Sequence, residues 1–216
     1  MDTLLSQVEF LKPLTAAERQ RLVALSREKR YAKGQTIFRA GEPSEAIWIV
    51  KVGRIHLMKF LESGQASTTC VMKDGEPFCC LPAMDRQPYP VDAVAAVDSV
   101  VYRIPLDAFH ELLQKNPAFL RASLCVFCDR LRQVEHKSCM SADPVDHRLA
   151  HVLVELSKKF GRTIPLTKQQ LAEMAGTTVE TTIRILGQFK KRGLITSSRG
   201  STTLAKLDRL QDLAGS

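Results

Sequence analysis

Residues 167–195, TKQQLAEMAGTTVETTIRILGQFKKRGLI, constrain the fold more than any other stretch, because two helix starts stand on either side of a single turn-forming glycine. Thr167 with Gln170 three residues later makes a capping box, in which the hydroxyl accepts from a first-turn amide and the glutamine accepts from the cap's own amide. Leu171, Met174 and Ala175 follow at helical spacing, and Gly176 supplies a tight turn without a Cβ clash. Thr177 with Glu180 predicts a second capping box. Beyond it Val179, Ile183, Leu186 and Phe189 are expected to form the apolar face of a second helix, with Glu180, Thr181, Arg184 and Gln188 elsewhere. Lys190, Lys191 and Arg192 end that helix, where cations suit both the helix dipole and a phosphate backbone. ITSSRGSTTLAKL then reads as a hairpin turning at Arg199 and Gly200. The pattern is a winged helix-turn-helix.

In such a motif the second helix enters the major groove of double-stranded DNA with its first turns against the base edges. Arg184 suits a bidentate contact to guanine O6 and N7, and Glu180 can accept from cytosine N4 or only close its own cap. The expected DNA-contact set is therefore Thr178, Val179, Glu180, Thr181 and Arg184, with Lys190, Lys191 and Arg199 on the backbone. Charge agrees with this. Of the formal net charge of +8, the residues from Asp143 onward carry +5, with 12 Lys and Arg against 7 Asp and Glu.

At 216 residues the chain could be one large domain or two of ordinary size, and its 44% hydrophobic content is that of a globular protein with a real core. The N-terminus MDTLLSQVEF lacks a basic stretch before an apolar run, and nowhere do eighteen apolar residues follow one another. A cytoplasmic protein without membrane contact is expected, so the six cysteines do not read as a disulfide framework. An enzyme is not expected: no thioredoxin-like pattern surrounds the cysteines, and His147 with His151 lacks the glutamate of a metalloprotease helix.

Thr15 and Glu18 predict a capped helix to Ser26 that packs through Leu22, Val23 and Leu25. Gly34, Gly41, Gly53, Gly64 and Gly75 then recur at intervals of 7, 12, 11 and 11 residues between runs rich in Ile, Val, Phe, Trp and Thr. That spacing predicts an antiparallel sandwich or barrel. IWIVKVGRIHLMKF turns at Gly53, with Ile55 and Leu57 on one face and His56 and Met58 on the other, and VDAVAAVDSVVYRI closes the set as a buried strand pair. Pro105 opens a helix with Leu106, Phe109, Leu112 and Leu113 on one face, and Asn116-Pro117 caps a longer one. In the longer helix Leu120, Leu124, Phe127, Leu131, Val134 and Ser138 are spaced four, three, four, three, four, the seam of a two-stranded parallel coiled coil or of a helix packed on its own domain. Asp143-Pro144 stops it and starts a helix from Val145 to Phe160 with Leu149, Val152, Leu153 and Leu156 inward. The fold class is α+β in three parts: a sensing β-roll over residues 1–115, a dimerisation helix and hinge over 116–142, and a winged helix-turn-helix over 143–216.

This order of parts resembles the Crp/Fnr family of bacterial transcription regulators over nearly the whole chain. YAKGQTIFRAGEPSEAIWIVKVGRIHL is similar to the family's opening roll segment, KNPAFLRASL to its entry into the dimer helix, and TKQQLAEMAGTTVETTIRIL to its DNA-reading element. The resemblance implies a cupin-like, cyclic-nucleotide-binding-like roll, a homodimer on a palindromic operator, RNA polymerase as a further partner, and a small-molecule, gas or redox effector. It places Glu180 and Arg184 at base-contacting positions, while Ile183 departs from the serine of the oxygen-responsive branch.

Cyclic-nucleotide-binding members hold the ribose with Gly-Glu and the phosphate with Arg-Ser or Arg-Thr, where this chain has Cys79-Cys80 and Pro90-Val91. Proline and valine offer a phosphate neither charge nor a donor. The iron–sulfur branch carries an N-terminal cysteine cluster, and here no cysteine precedes Cys70. DGEPFCC is similar to the segment in which the haem-containing carbon monoxide sensor ligates iron through cysteine. That makes Cys79 the matching ligand, Cys80 its neighbour, and His56 or the dimer helix the source of a second one. Haem is thus the cofactor suggested ahead of iron–sulfur or another metal. Cys79 with Cys125 and Cys128 as a soft-metal set, a thiol redox switch, packed thiols and a cofactor-free pocket all stay open.

Overall fold

The computed structural model describes residues 8–60, 66–139 and 143–215. The chain divides into two compact units, the second made mainly of residues 135–216. The expected boundary at Met140 to Asp143 falls largely outside the described residues.

In the first unit a 3₁₀ turn at Glu9–Leu11 leads to α1 (Ala16–Leu25). Thr15 and Glu18 make the expected box: the Glu18 amide donates to Thr15 Oγ1 at 3.2 Å and the Thr15 amide to the Glu18 carboxylate at 2.7 Å. Leu22 is buried, but Leu25 is 44% exposed, so α1 braces the unit through fewer residues than expected. Strands β1 (Arg27–Tyr31), β2 (Thr36–Phe38), β3 (Ala46–Val52), β4 (Arg54–Phe60), β5 (Ala66–Lys73) and β6 (Pro77–Phe78) precede a short α2 (Cys80–Asp85). β7 (Asp92–Ala95) and β8 (Ser99–Pro105) then lead into α3 (Leu106–Lys115) and α4 (Pro117–Cys139).

The strands form two four-stranded sheets, ordered β1-β8-β3-β6 and β2-β7-β4-β5. β7 and β8 therefore lie in different sheets, and the expected pairing within VDAVAAVDSVVYRI is corrected. Both strands are apolar enough to be buried, and local pattern does not say which partner each will find. β1 has the all-polar sequence REKRY and was invisible to hydrophobic pattern; it is an edge strand along β8, with Arg30 opposite Val100.

β3 explains why its sequence runs IWIV without alternation, because both of its faces are buried. Ile47 and Ile49, with Tyr102 and Ile104 of β8, pack under Leu106, Phe109 and Phe119 of the helices. Trp48 and Val50 point the other way, into the space shared with Ile55, Leu57, Ala93 and Ala95 of the second sheet. Asn116 caps α4 as expected, its Oδ1 accepting from the Phe119 amide at 2.9 Å. Phe119 joins the helix core, with its ring edge-on to Phe109 at 5.6 Å.

His56 alternates away from that inter-sheet core, yet it is only 4% exposed, and among the described residues its Nε2 has no hydrogen-bond partner. Burial, reinforced by the Arg54 cation, pulls its pKa down to about 4. The unfolded chain protonates this ring near pH 6.5 and the folded chain only near 4, so the unfolded state binds more protons in between. Stability is therefore expected to fall as pH drops from 6.5 to 4, by up to roughly 3 kcal/mol from this group. Urea unfolding across that range should show His56→Leu losing this part of the slope; an unchanged slope would mean that the ring is not the source.

In the second unit α5 (Val145–Phe160) packs against α6 (Lys168–Ala175) and α8 (Leu207–Ala214), and α6 against α7 (Val179–Lys191). Leu149, Val152, Leu153 and Leu156 are buried as expected. Pro144 stands at the cap of α5 with no side-chain hydrogen bond, so Asp143-Pro144 starts the helix through proline's fixed φ rather than through a capping carboxylate. β9 (Thr163–Ile164), β10 (Ile195–Ser198) and β11 (Ser201–Leu204) form a three-stranded sheet in the order β10-β11-β9. β9 and α8 lie outside the expected elements: β9 is only two residues long, whereas α8 carries Leu207, Leu210, Leu213 and Ala214 at helical spacing and was legible.

Candidate nucleic-acid interface

α6 starts as its sequence predicts. The Gln170 amide donates to Thr167 Oγ1 at 3.2 Å and the Thr167 amide to Gln170 Oε1 at 2.8 Å. Gly176 ends the helix at φ +62, in the left-handed region that favours glycine, and the Thr177 amide returns to the Ala172 carbonyl at 3.0 Å. The next cap is Thr178 rather than Thr177: its hydroxyl accepts from the Thr181 amide at 3.2 Å and donates to Thr181 Oγ1 at 3.1 Å. Two threonines stand side by side, and turn geometry chooses between them. The choice has a chemical consequence, since Glu180 closes no capping box and stands exposed.

The buried face of α7 is Thr182, Ile185, Leu186 and Phe189. This corrects the expected set, because Ile183 is 48% exposed and Val179 only half-buried. A threonine in a buried slot disguised the helix phase; Thr182 is fully buried. Glu180, Arg184, Gly187 and Gln188 are exposed on the opposite side. Thr178 is exposed at the start of the helix and Thr181 is half-buried, while Lys190 and Lys191 are exposed at its end.

The hairpin turns where expected, with Ser198 opposite Ser201 and Gly200 at φ +78. Arg199 is exposed at its tip. Between α7 and this wing runs a groove of about 420 Å³ lined by Ile183, Gly187, Lys190, Ser198 and Arg199, with Lys168 from the start of α6. Three cations border it and no carboxylate does. Lys168 is not among the expected contacts, because it reads as an ordinary helix-start lysine; Ile183, set above against the serine of the oxygen-responsive branch, is expected on the apolar face because it fits the repeat.

The cysteines are distributed otherwise than a shared metal site requires. Cys79 is 7% exposed among Phe38, Trp48, Phe78 and Tyr89 between the two sheets, and its backbone lies at φ +56. Burial pushes its thiol well above the ordinary value, and the neighbouring Cys80 and Cys70 act in the same direction. Cys80 packs instead against the helix core that includes Phe119 and Val126. Cys125 and Cys128 are exposed on α4, so Cys79, Cys125 and Cys128 do not converge, and among the described residues no three His, Cys, Asp or Glu side chains group as metal ligands. His56 and Cys79 fall on opposite sides of β4, since Ile55 and Leu57 share the core with Cys79 and His56 alternates away. They cannot both ligate one haem iron.

On α4, Leu120, Leu124, Leu131 and Val134 are 36%, 47%, 59% and 62% exposed, and Phe127 is half-buried. Phe119, Ser123 and Val126 take the inward face instead. The side chain of Ser138 lies outside the described residues.

Comparison with known proteins reads the same two units. The cyclic nucleotide-binding domain family matches residues 28–116 and the Crp-like helix-turn-helix domain family matches residues 147–213, between them well over half of the chain. The chain belongs to the Crp/Fnr family. It is 26% identical over 200 residues to the fumarate and nitrate reduction regulatory protein of Escherichia coli (strain K12), covering 88% of this chain and 80% of that one. To the cyclic AMP receptor protein of Thermus thermophilus it is 24% identical over 186 residues, covering 85% and 86%. Among solved structures, FixK2 from Bradyrhizobium japonicum superposes with a TM-score of 0.79 at 21% identity, over 87% of this chain and 96% of that one.

As a Crp/Fnr protein this chain is a DNA-binding transcription regulator. Its roll has the family's fold. The inter-sheet space is occupied by rings: Phe38 stacks on Tyr89 at 3.8 Å, and Trp48 and Phe78 lie 6.0 and 6.1 Å from Phe38. Trp48 Nε1 donates to Tyr89 Oη at 3.1 Å, and Tyr89 Oη donates to the Ala46 carbonyl at 3.2 Å, so their polar atoms are already used. Val91 packs against this core beside the exposed Pro90, and the Glu76 carboxylate accepts from the Lys73 amide at 2.9 Å within its own turn. An anion there would meet carbon.

Among the described residues no helix is long and apolar enough to cross a membrane.

Proposed function

We propose that this Crp/Fnr chain is a cytoplasmic homodimeric regulator that reads a palindromic operator and answers to an effector other than a cyclic nucleotide. The observation that carries the reading is the outer face of α7, where Glu180 and Arg184 stand exposed above a fully buried inner face, beside a wing and a lysine-bordered groove. Arg184 pairs with a guanine edge and Glu180 with a cytosine amino group; Lys190, Lys191 and Arg199 hold phosphates and Thr178, Val179 and Thr181 line the approach. The apolar stripe of α4 joins two copies, which sets two α7 helices one duplex turn apart. RNA polymerase is the partner on the occupied operator.

The test compares Arg184→Ala with Lys191→Ala on a duplex library. The first should lose about 1–3 kcal/mol of discrimination at one base pair per half-site, and the second should weaken all sequences alike and lower the salt slope by about 1. Sequence preference untouched by Arg184→Ala would show that α7 is not the reader.

The effector signal has one evident route. Cys79 belongs to the inter-sheet core and Cys80 to the helix core with Val126 of α4, so a change at this pair reaches both. Cys79 also holds a left-handed backbone that non-glycine residues rarely adopt. Since Cys79 and His56 do not face each other, protein purified without oxygen is expected to lack an intense haem band. A band that shifts in Cys79→Ser would instead make it a haem sensor with a second ligand from elsewhere.

A further inference from the structure

The cysteines whose side chains are described fall into two kinds. Cys70 and Cys79 pack with the inter-sheet core and Cys80 with the helix core, in keeping with cysteine's preference for the interior. Cys125 and Cys128 are exposed on α4. Packing does not account for them there, and cysteine forms helix less readily than the residues an exposed helix face usually carries.

Successive residues of a helix turn by about 100°, so Cys125 and Cys128 stand about 60° apart on adjacent turns. Arg121 lies one turn before the pair and Arg132 one turn after, both exposed, and the four side chains make a single stripe about 60° wide. This stripe is a third face of α4. Its centre is roughly 110° round the axis from the apolar stripe of Leu120, Leu124, Leu131 and Val134, and roughly 150° from the inward Phe119, Ser123 and Val126. A second copy joined through the apolar stripe therefore leaves the pair open, and each protomer carries the whole set.

Distances decide what the two thiols can do together. Side chains three apart on a helix have Cβ atoms about 5–6 Å apart, whereas a disulfide needs about 3.5–4.5 Å, so a regular α4 keeps the sulfurs from bonding to each other. One ion between them asks for less approach: two metal–sulfur bonds of about 2.3 Å in line set the sulfurs about 4.6 Å apart. Tetrahedral zinc wants four ligands, and among the described residues no third His, Cys, Asp or Glu groups with the pair. Two thiolates alone satisfy a soft monovalent ion that accepts two ligands. They leave that complex with one net negative charge, and Arg121 and Arg132 stand at the two ends of the stripe to balance it. Arg132 also pairs with Asp129 at 2.8 Å, but both side chains are exposed and such a pair contributes at most about 1 kcal/mol.

We propose that Cys125 and Cys128 form a two-thiolate site on each protomer for a soft monovalent metal ion of the Cu(I) kind, with Arg121 and Arg132 as its counter-charge. The two thiols release two protons as the two metal–sulfur bonds form, and no electron is exchanged. The assignment does not depend on the reading of α7.

The experiment uses the full-length protein, reduced and kept from oxygen, and offers it Cu(I) held by excess bathocuproine disulfonate, whose colour falls as the ion leaves. One equivalent per protomer should be taken up. Cys125→Ser and Cys128→Ser should each weaken that uptake by about 10²–10⁴-fold, the loss of a second bond made within one molecule, while Cys70→Ser, Cys80→Ser and Cys139→Ser leave it unchanged. Arg121→Gln with Arg132→Gln should weaken it severalfold at low salt and less at high salt. X-ray absorption at the copper edge should show two sulfur neighbours. No uptake by the wild-type protein, uptake unchanged when both Cys125 and Cys128 are serine, or three or more sulfur neighbours in the loaded protein would each overturn the site. Unchanged affinity in the arginine variant would overturn the part given to Arg121 and Arg132.

Discussion

Glutamate at both Leu124 and Leu131 is expected to turn a dimer into a monomer and to weaken binding to a two-half-site operator by about 10²–10⁴-fold, the advantage of joining two binding events in one molecule. These residues occupy equivalent heptad positions, and in the single chain they are 47% and 59% exposed. The fold of each unit does not use them, so the thermal transition of the roll should hardly move. In a paired helix both would be buried against their counterparts, and four carboxylates would meet in an apolar seam at several kcal/mol each. Sedimentation at micromolar concentration, beside operator binding, reads both effects. A variant that stays dimeric and binds normally would show that α4 is not the dimer helix.

Gly53→Ala is the second large effect, and it acts on the roll alone. Gly53 joins β3 to β4 at φ +115, and a Cβ there would lie 2.8 Å from Ser99 Cα, 2.7 Å from Ser99 Cβ and closer still to its hydroxyl. Ser99 cannot step aside without loss, because its Oγ accepts from the Arg54 amide at 3.1 Å and donates to the Val97 carbonyl at 2.7 Å. The Gly53 amide is itself held by Asp74 Oδ1 at 2.8 Å. Backbone strain and overpacking together should destabilise the unit by about 3–5 kcal/mol. Chemical unfolding checks it. Adding Ser99→Gly should recover only part of the loss, since the contact with the Cα remains. A change below about 1 kcal/mol would mean that the turn relaxes freely.

Much of this protein was legible in its residues because the signals were local. A hydroxyl three residues before a glutamate or glutamine, a glycine after a helix and Asn-Pro before one specify hydrogen bonds within a single turn. The starts of α1, α4 and α6 and the glycine end of α6 therefore came out as read. The same holds for the wing turn at Arg199-Gly200 and for the turn at Gly53, although β3 and β4 on either side of it belong to different sheets. On α4 the heptad spacing is a surface pattern, and of its residues Leu120, Leu124, Leu131 and Val134 are exposed in the single chain.

Tertiary packing decided the rest. It assigned β7 and β8 to different sheets, since apolar strands carry no mark of their partner. It drew the all-polar β1 onto β8, because an edge strand is stabilised by backbone hydrogen bonds that any sequence can make. It chose Thr178 over Thr177 as the cap, which freed Glu180, and it buried Thr182 in place of Ile183, which left an apolar side chain exposed on α7. It also turned Cys79 inward, Cys80 toward the helices and His56 away from both. Ligands meet only where separate strands bring them together, and a one-dimensional spacing holds no record of which side of a sheet each side chain will take.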